Sequence, residues 1–135
     1  MRKITKIIIH SSATPEGREV TPEEICKWHR AAGKKQIGYH FVVPLDGKVK
    51  KGRDIKEIGA HAKNHNLDGI GICYVGGCDK AMKPKDTRTL EQKEGLLTLL
   101  TELKKMFPNA EIGGHCDYNK TACPSFDAKT EYSNI

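Results

Sequence analysis

Two helix-start signals alternate with apolar runs rich in β-branched residues, and this alternation constrains the fold more than any other feature of the chain. Thr21-Pro22-Glu23-Glu24 offers a capping hydroxyl, a proline at the first helical position and a glutamate three residues after the cap, as a capping box requires. Thr89-Leu90-Glu91-Gln92 offers a second such box. Ahead of the first box lies "ITKIII" (4–9), which reads as a buried strand ending at His10. Between the boxes lie "GYHFVVPLDGKVKKG" (38–52), a hairpin turning at Asp46-Gly47, and "GIGICYVGG" (69–77), an apolar strand bracketed by glycines. "AEIGGH" (110–115) is a short final strand that presents His115. Strands alternating with capped helices predict an α/β chain, a single domain over 1–135 with a central mixed β-sheet flanked by helices.

The first helix ends at Gly33 and places Ile25, Trp28 and Ala32 on one face, which predicts that Trp28 belongs to the core. The second runs to about Phe107, before Pro108, with Leu96, Leu97, Leu100, Leu103 and Phe107 as its buried stripe. A chain of 135 residues can bury a core without staples, and no repeat or linker divides it.

Lys and Arg number 23 against 17 Asp and Glu, a formal net charge of +6 that favours anionic partners without choosing among them. No nucleic-acid module or stacking array of aromatics is present, so nucleic acid is not an expected partner. The apolar run in "MRKITKIIIH" is too short for the centre of a signal peptide, and no stretch approaches a membrane span. The expectation is cytoplasmic synthesis without a signal peptide and without membrane insertion. The five cysteines (Cys26, Cys73, Cys78, Cys116 and Cys123) are odd in number and contain no Cys-x-x-Cys pair, which predicts mostly free thiols.

His10 and His115 each stand where an apolar strand gives way to a polar loop, and strand ends are the usual place for a site in an α/β sheet. Cys123 follows eight positions after His115 in "HCDYNKTACPSFD", with Pro124 biasing it towards an extended backbone. Two imidazoles and a thiolate suit Zn²⁺, and three protein ligands leave the open fourth position of a catalytic site. The spacing fits no structural zinc-finger pattern. Residue types alone also allow a buried Cys123 thiol, a cysteine nucleophile with His115 as base, or a structural zinc drawn from other cysteines and histidines.

The segments "IIIHSSAT", "WHRAAG", "IGYHFVV", "GRDIKEIGAHAKNHN", "IGICYVGG" and "HCDYNKTACPSFD" occur in this order. Together, over about residues 4–128, they resemble the type 2 N-acetylmuramoyl-L-alanine amidases, the zinc amidases that include phage lysozymes of the T7 type and the peptidoglycan recognition proteins. The resemblance implies one Zn²⁺ per chain held by His10, His115 and Cys123, with Tyr39 of "GYHF" as the active-site tyrosine. Two residues before the cysteine ligand the family carries lysine or threonine; here Thr121 stands in that register, with Lys120 beside it as a substitute. Ser11 replaces a cysteine that the phage lysozyme has after its first ligand. His61 aligns with a histidine of the substrate groove, and Arg53, Lys63 and Asn66 are expected contacts to stem-peptide carboxylates or sugar oxygens. His40 is expected to be a hydrogen-bonded core residue, His29 a packing or surface residue, and His65 an exposed one.

The implied reaction is hydrolysis of the amide between N-acetylmuramic acid and the L-alanine of the stem peptide. The enzyme would be a lysin or of the wall-recycling type, a monomer acting on the cell wall if released or on cytoplasmic muropeptides. The competing reading is a non-catalytic peptidoglycan-binding module, which in this family is marked by loss of the cysteine ligand.

Overall fold

The computed structural model describes residues 2–135. Its centre is a five-stranded sheet in the order β4-β3-β5-β1-β7. Strands β1 (Lys6–Ser11), β3 (Phe41–Val43), β5 (Gly69–Tyr74) and β7 (Glu111–Gly114) run parallel, and β4 (Lys50–Lys51) pairs antiparallel with β3 as the return arm of the expected hairpin. A two-stranded ladder, β2 (Thr14–Pro15) with β6 (Gly77–Cys78), lies beyond the ends of β1 and β5. The helices are α1 (Pro22–Ala31), α2 (Leu90–Met106) and the short α3 (Ala128–Glu131). The α/β class with a mixed sheet and flanking helices is the one the alternation predicts.

Successive strand residues face opposite sides of the sheet, and here the two sides differ in kind. Ile7, Ile9, Ile70, Ile72, Tyr74 and Ile112 join Leu96, Leu100 and Leu103 of α2 and Ala128 and Tyr132 near the C-terminus in the larger apolar core. On the other side Val42, Cys73 and Val75 pack with Val20, Ile25 and Ile37 in a smaller cluster. That second side also carries His10, and at Gly71 it has no side chain at all. A Cβ on Gly71 would stand 2.5 Å from Cγ of the His61 ring, so the glycine lets an imidazole lie directly on the sheet.

Both predicted helix starts form. Thr21 Oγ1 accepts from the Glu24 N–H, but the Glu24 carboxylate pairs with Arg18 at 3.2 Å. At α2 the box is reciprocal: Thr89 Oγ1 accepts from the Gln92 N–H, and Gln92 Oε1 accepts from the Thr89 N–H. Gln92 is fully buried because its Nε2 also donates to the Val43 and Val75 carbonyls, tying the helix start to the ends of β3 and β5.

Three expectations are corrected. Trp28 is 39% exposed, lying beneath the Arg18 guanidinium instead of in the core. Leu97 is 49% exposed, so the buried stripe of α2 is Gln92, Leu96, Leu100 and Leu103. The apolar run 69–77 is not one strand, because positive φ at Gly76 and Gly77 turns the chain between β5 and β6.

Arg88 fastens the segment before α2 to the last helix. Its side chain is 1% exposed, donates to Asp86 and Glu131 at 2.7–2.9 Å and to the Tyr132 hydroxyl, and stacks 3.4 Å from the Phe126 ring centroid. We expect Arg88→Met to cost about 3 kcal/mol, the low end for breaking a buried pair, because both carboxylates keep access to water. Hydrogen bonding to Arg88 holds Glu131 below its usual carboxylate range. A depressed pKa contributes stability that is present above the unfolded value and is lost as pH falls through the folded one. The gap between wild type and variant in chemical denaturation should therefore be full at neutral pH and shrink below about pH 4.

Candidate active site

Strand pairing brings the two histidines together. β1 and β7 are adjacent, with Ile9 opposite Gly114, so the next residue on each chain is His10 and His115. Their ring centroids lie 4.5 Å apart. After β7 the chain makes a short 3₁₀ turn (His115–Asp117), and the following loop returns to deliver Cys123. Several bonds fix that return. The Cys116 N–H donates to the Cys123 carbonyl at 2.8 Å, the Tyr74 hydroxyl to the Pro124 carbonyl at 2.6 Å, and the Ser125 hydroxyl to the Gly77 carbonyl at 2.9 Å. Gly114 makes room for it, since a Cβ there would stand 2.7 Å from Cδ of Pro124.

One donor atom each from His10, His115 and Cys123 lies within 4.8 Å of the others. That is the scale of two zinc–ligand bonds of about 2.0–2.3 Å each. It is also the one such cluster of His, Cys and acidic groups among the described residues. The Nε2 atoms of both rings are engaged: His10 with Nδ1 of His61 at 2.9 Å, and His115 with Oδ1 of Asn119 at 2.9 Å. Nδ1 is thereby the nitrogen left to His115 for an ion, and left to His10 when its Nε2 is the donor to His61.

Burial lowers the His10 pKa well below its usual value, and His61 and His115 push in the same direction. Burial lowers His115 too, against the pull of its bond to Asn119. Both rings are held in the neutral form that ligates metal. Burial pushes the Cys123 thiol up, while the Ser11 N–H, which donates to Sγ at 3.1 Å, pulls it back. Two neutral imidazoles and a thiol already accepting a hydrogen bond fit a borderline-soft ion such as zinc.

Tyr39 closes one side, its ring 5.1 Å from that of His10 and 5.2 Å from that of His29. Burial first, then the thiols of Cys73 and Cys123, raise its pKa well above the usual value, so the phenol stays protonated. His29 shapes this corner, because its Nδ1 accepts from the Gly38 N–H at 2.7 Å.

The other expected site residues fall in varied places. Thr121 is exposed and its Oγ1 accepts from the Cys123 N–H at 3.2 Å. Lys120 is exposed on the same loop. His61 sits against His10, with burial as the main cause of a pKa near 3. The Arg53 guanidinium donates to the Ile37 and Ile58 carbonyls. Oδ1 of Asn66 accepts from the N–H groups of His61 and Ala62, both at 2.9 Å. Lys63 is exposed, and its carbonyl accepts from Nδ2 of Asn119. His40 is buried; its Nδ1 accepts from the Gly71 N–H, which puts the proton on Nε2, opposite the Glu57 carbonyl. His65 is half-buried against Tyr118, not exposed.

Three contributors were not singled out by sequence reasoning: Asn119, the Ser11 N–H and His29 as a partner of Gly38. Asn119 had a signal, four residues after His115 at the pitch of one helical turn. The Ser11 contact is made by backbone and leaves no mark in residue type.

The family model described as N-acetylmuramoyl-L-alanine amidase matches residues 1–126. The chain is 39% identical over 128 residues to an endolysin of Klebsiella phage KP32, covering 95% of this chain and 85% of that protein. It is 40% identical over 123 residues to the endolysin of Escherichia phage T7, covering 91% and 82%. Among solved structures it is similar to the N-acetylmuramoyl-L-alanine amidase LysC from Clostridium intestinale, with a TM-score of 0.82, 25% identity and coverage of 96% and 82%. With that family match spanning nearly all of its length, the chain belongs to the N-acetylmuramoyl-L-alanine amidase family.

Proposed function

We propose that this chain is a zinc-dependent lysin that hydrolyses the amide between N-acetylmuramic acid and L-alanine in peptidoglycan. The observation that carries the reading is the convergence of His10, His115 and Cys123 at one strand-end cluster. Relatedness to phage endolysins supports the lysin type over wall recycling. An intact donor set argues against a module that only binds, and the net charge of +6 suits an anionic wall polymer.

An amide carbonyl is a poor electrophile and water a poor nucleophile. Zinc, when bound, supplies water activation near neutral pH and Lewis acidity at the carbonyl oxygen. The protein's own groups do the rest. Tyr39 keeps its phenolic proton and donates a hydrogen bond to the oxygen on which negative charge develops. Thr121, with Lys120 as its substitute, supplies the second polar group, and the Thr121 hydroxyl also shapes the loop that carries Cys123. Lys63, exposed on the 61–66 loop, is the cation offered to a stem-peptide carboxylate. Arg53, Asn66 and His61 contribute by fixing the backbone and rings that border the groove.

The test is metal removal. Purified protein should contain one zinc per chain and release new L-alanine amino termini from purified peptidoglycan. Dialysis against a chelator should reduce this to background, and zinc should restore it. Release that survives complete loss of metal would refute zinc dependence. Release only from soluble muropeptides, with none from intact wall, would overturn the lysin assignment.

A further inference from the structure

The two histidine ligands proposed above are not held independently. One short loop reaches both. His61 places Nδ1 at 2.9 Å from Nε2 of His10. Two residues on, the Lys63 carbonyl accepts from Nδ2 of Asn119, whose Oδ1 lies 2.9 Å from Nε2 of His115. Asn66 pins the loop from within by accepting from the His61 and Ala62 N–H groups. Gly71 lets the His61 ring lie flat against the sheet.

These contacts decide where each ligand keeps its proton. An amide oxygen can only accept, so Nε2 of His115 must carry hydrogen and Nδ1 must be bare. For the His10–His61 pair there are two possibilities. With the proton on Nε2 of His10, His61 accepts and Nδ1 of His10 is free for an ion. With the bond reversed, His10 carries its proton on Nδ1, which closes that nitrogen to a metal. The first arrangement puts the other proton of His61 on its buried Nε2, which has no hydrogen-bond partner among the described residues. A buried polar atom left without a partner calls for an explanation. In either arrangement Nε2 stays without a partner, so the one hydrogen bond this ring makes among the described residues is the bond to His10.

We infer that residues 61–66, acting through His61 and through Asn119, form a brace that sets the tautomer and angle of both metal-ligating histidines. His61 and Asn119 are thus positioning residues, and His61 is not principally a substrate contact. This rests on the proposed zinc site and adds to it the groups that prepare it before any metal arrives. Outer partners of metal-bound histidines fix ring orientation and raise ligand basicity, and losing one costs about 10–100-fold in metal affinity.

Asn119→Ala and Asn119→Asp separate the brace from mere loop architecture, because both lose the Nδ2 donor to Lys63 and only the aspartate keeps an acceptor for His115. Zinc affinity is read by competition with a chromogenic chelator, and the geometry by the visible spectrum of the cobalt-substituted protein. Asn119→Ala should bind zinc about 10–100-fold more weakly with an altered cobalt spectrum, while Asn119→Asp binds at least as tightly as wild type. His61→Asn, which returns an acceptor oxygen near the position of Nδ1, should likewise retain more affinity than His61→Ala. Equal losses within each pair would overturn the proposal, as would Asn119→Ala and His61→Ala variants that bind like wild type. A folded wild type that binds no zinc at all would instead refute the metal site itself.

Discussion

Cys123→Ala is expected to empty the site and end hydrolysis while leaving the fold standing. The thiol is the one donor of the three that brings negative charge, and without it two neutral imidazoles at the ends of neighbouring strands remain. Zinc affinity should fall by far more than the roughly 10–100-fold that loss of an outer partner costs. Release of L-alanine amino termini should drop to background. Circular dichroism should be unchanged, because Cys123 is half-exposed and its loop is held by Tyr74, Ser125 and the Cys116 N–H. Metal analysis and the release assay on the same preparation check this. A variant that keeps both zinc and turnover would show that Cys123 is not a ligand.

Tyr39→Phe should separate chemistry from metal binding. The phenol is not one of the clustered donors, so zinc content should equal that of wild type. Burial beside His10 holds the hydroxyl protonated, and in the proposed mechanism it donates a hydrogen bond to developing negative charge. Removing one oxyanion donor costs about 10²–10³ in kcat, and a loss of that size with little change in KM is the expected result. A variant with wild-type kcat would remove Tyr39 from the reaction.

What the sequence discloses divides along the range of the interactions. Helix caps are local, so Thr21 and Thr89 could be read directly, and so could the strands from their β-branched runs. Burial within a helix is not local. Gln92 is buried and Leu97 exposed because the start of α2 must satisfy the carbonyls of Val43 and Val75, a requirement set by strands that periodicity does not see. The candidate ligands were visible as strand-end histidines and a cysteine before proline, and family resemblance gave them order. That these ligands have partners of their own was less visible. His61 meets His10 only because the loop between β4 and β5 folds over the sheet at Gly71, and Asn119 is tied to that loop through the Lys63 carbonyl. Nothing in residue type marks Asn66 as a pin for that loop instead of a contact for substrate.

The pairing of β1 with β7 also governs when the site can exist. The other strands of the five-stranded sheet all lie between His10 and His115 in the chain, so a chain emerging from the ribosome carries His10 without the other two donors until β7 has been made. No product that stops before β7 can assemble the cluster, because β1 must wait for that strand. The proposed metal chemistry therefore belongs to a chain in which β7 has joined β1, and a product cut short before β7 has none of it.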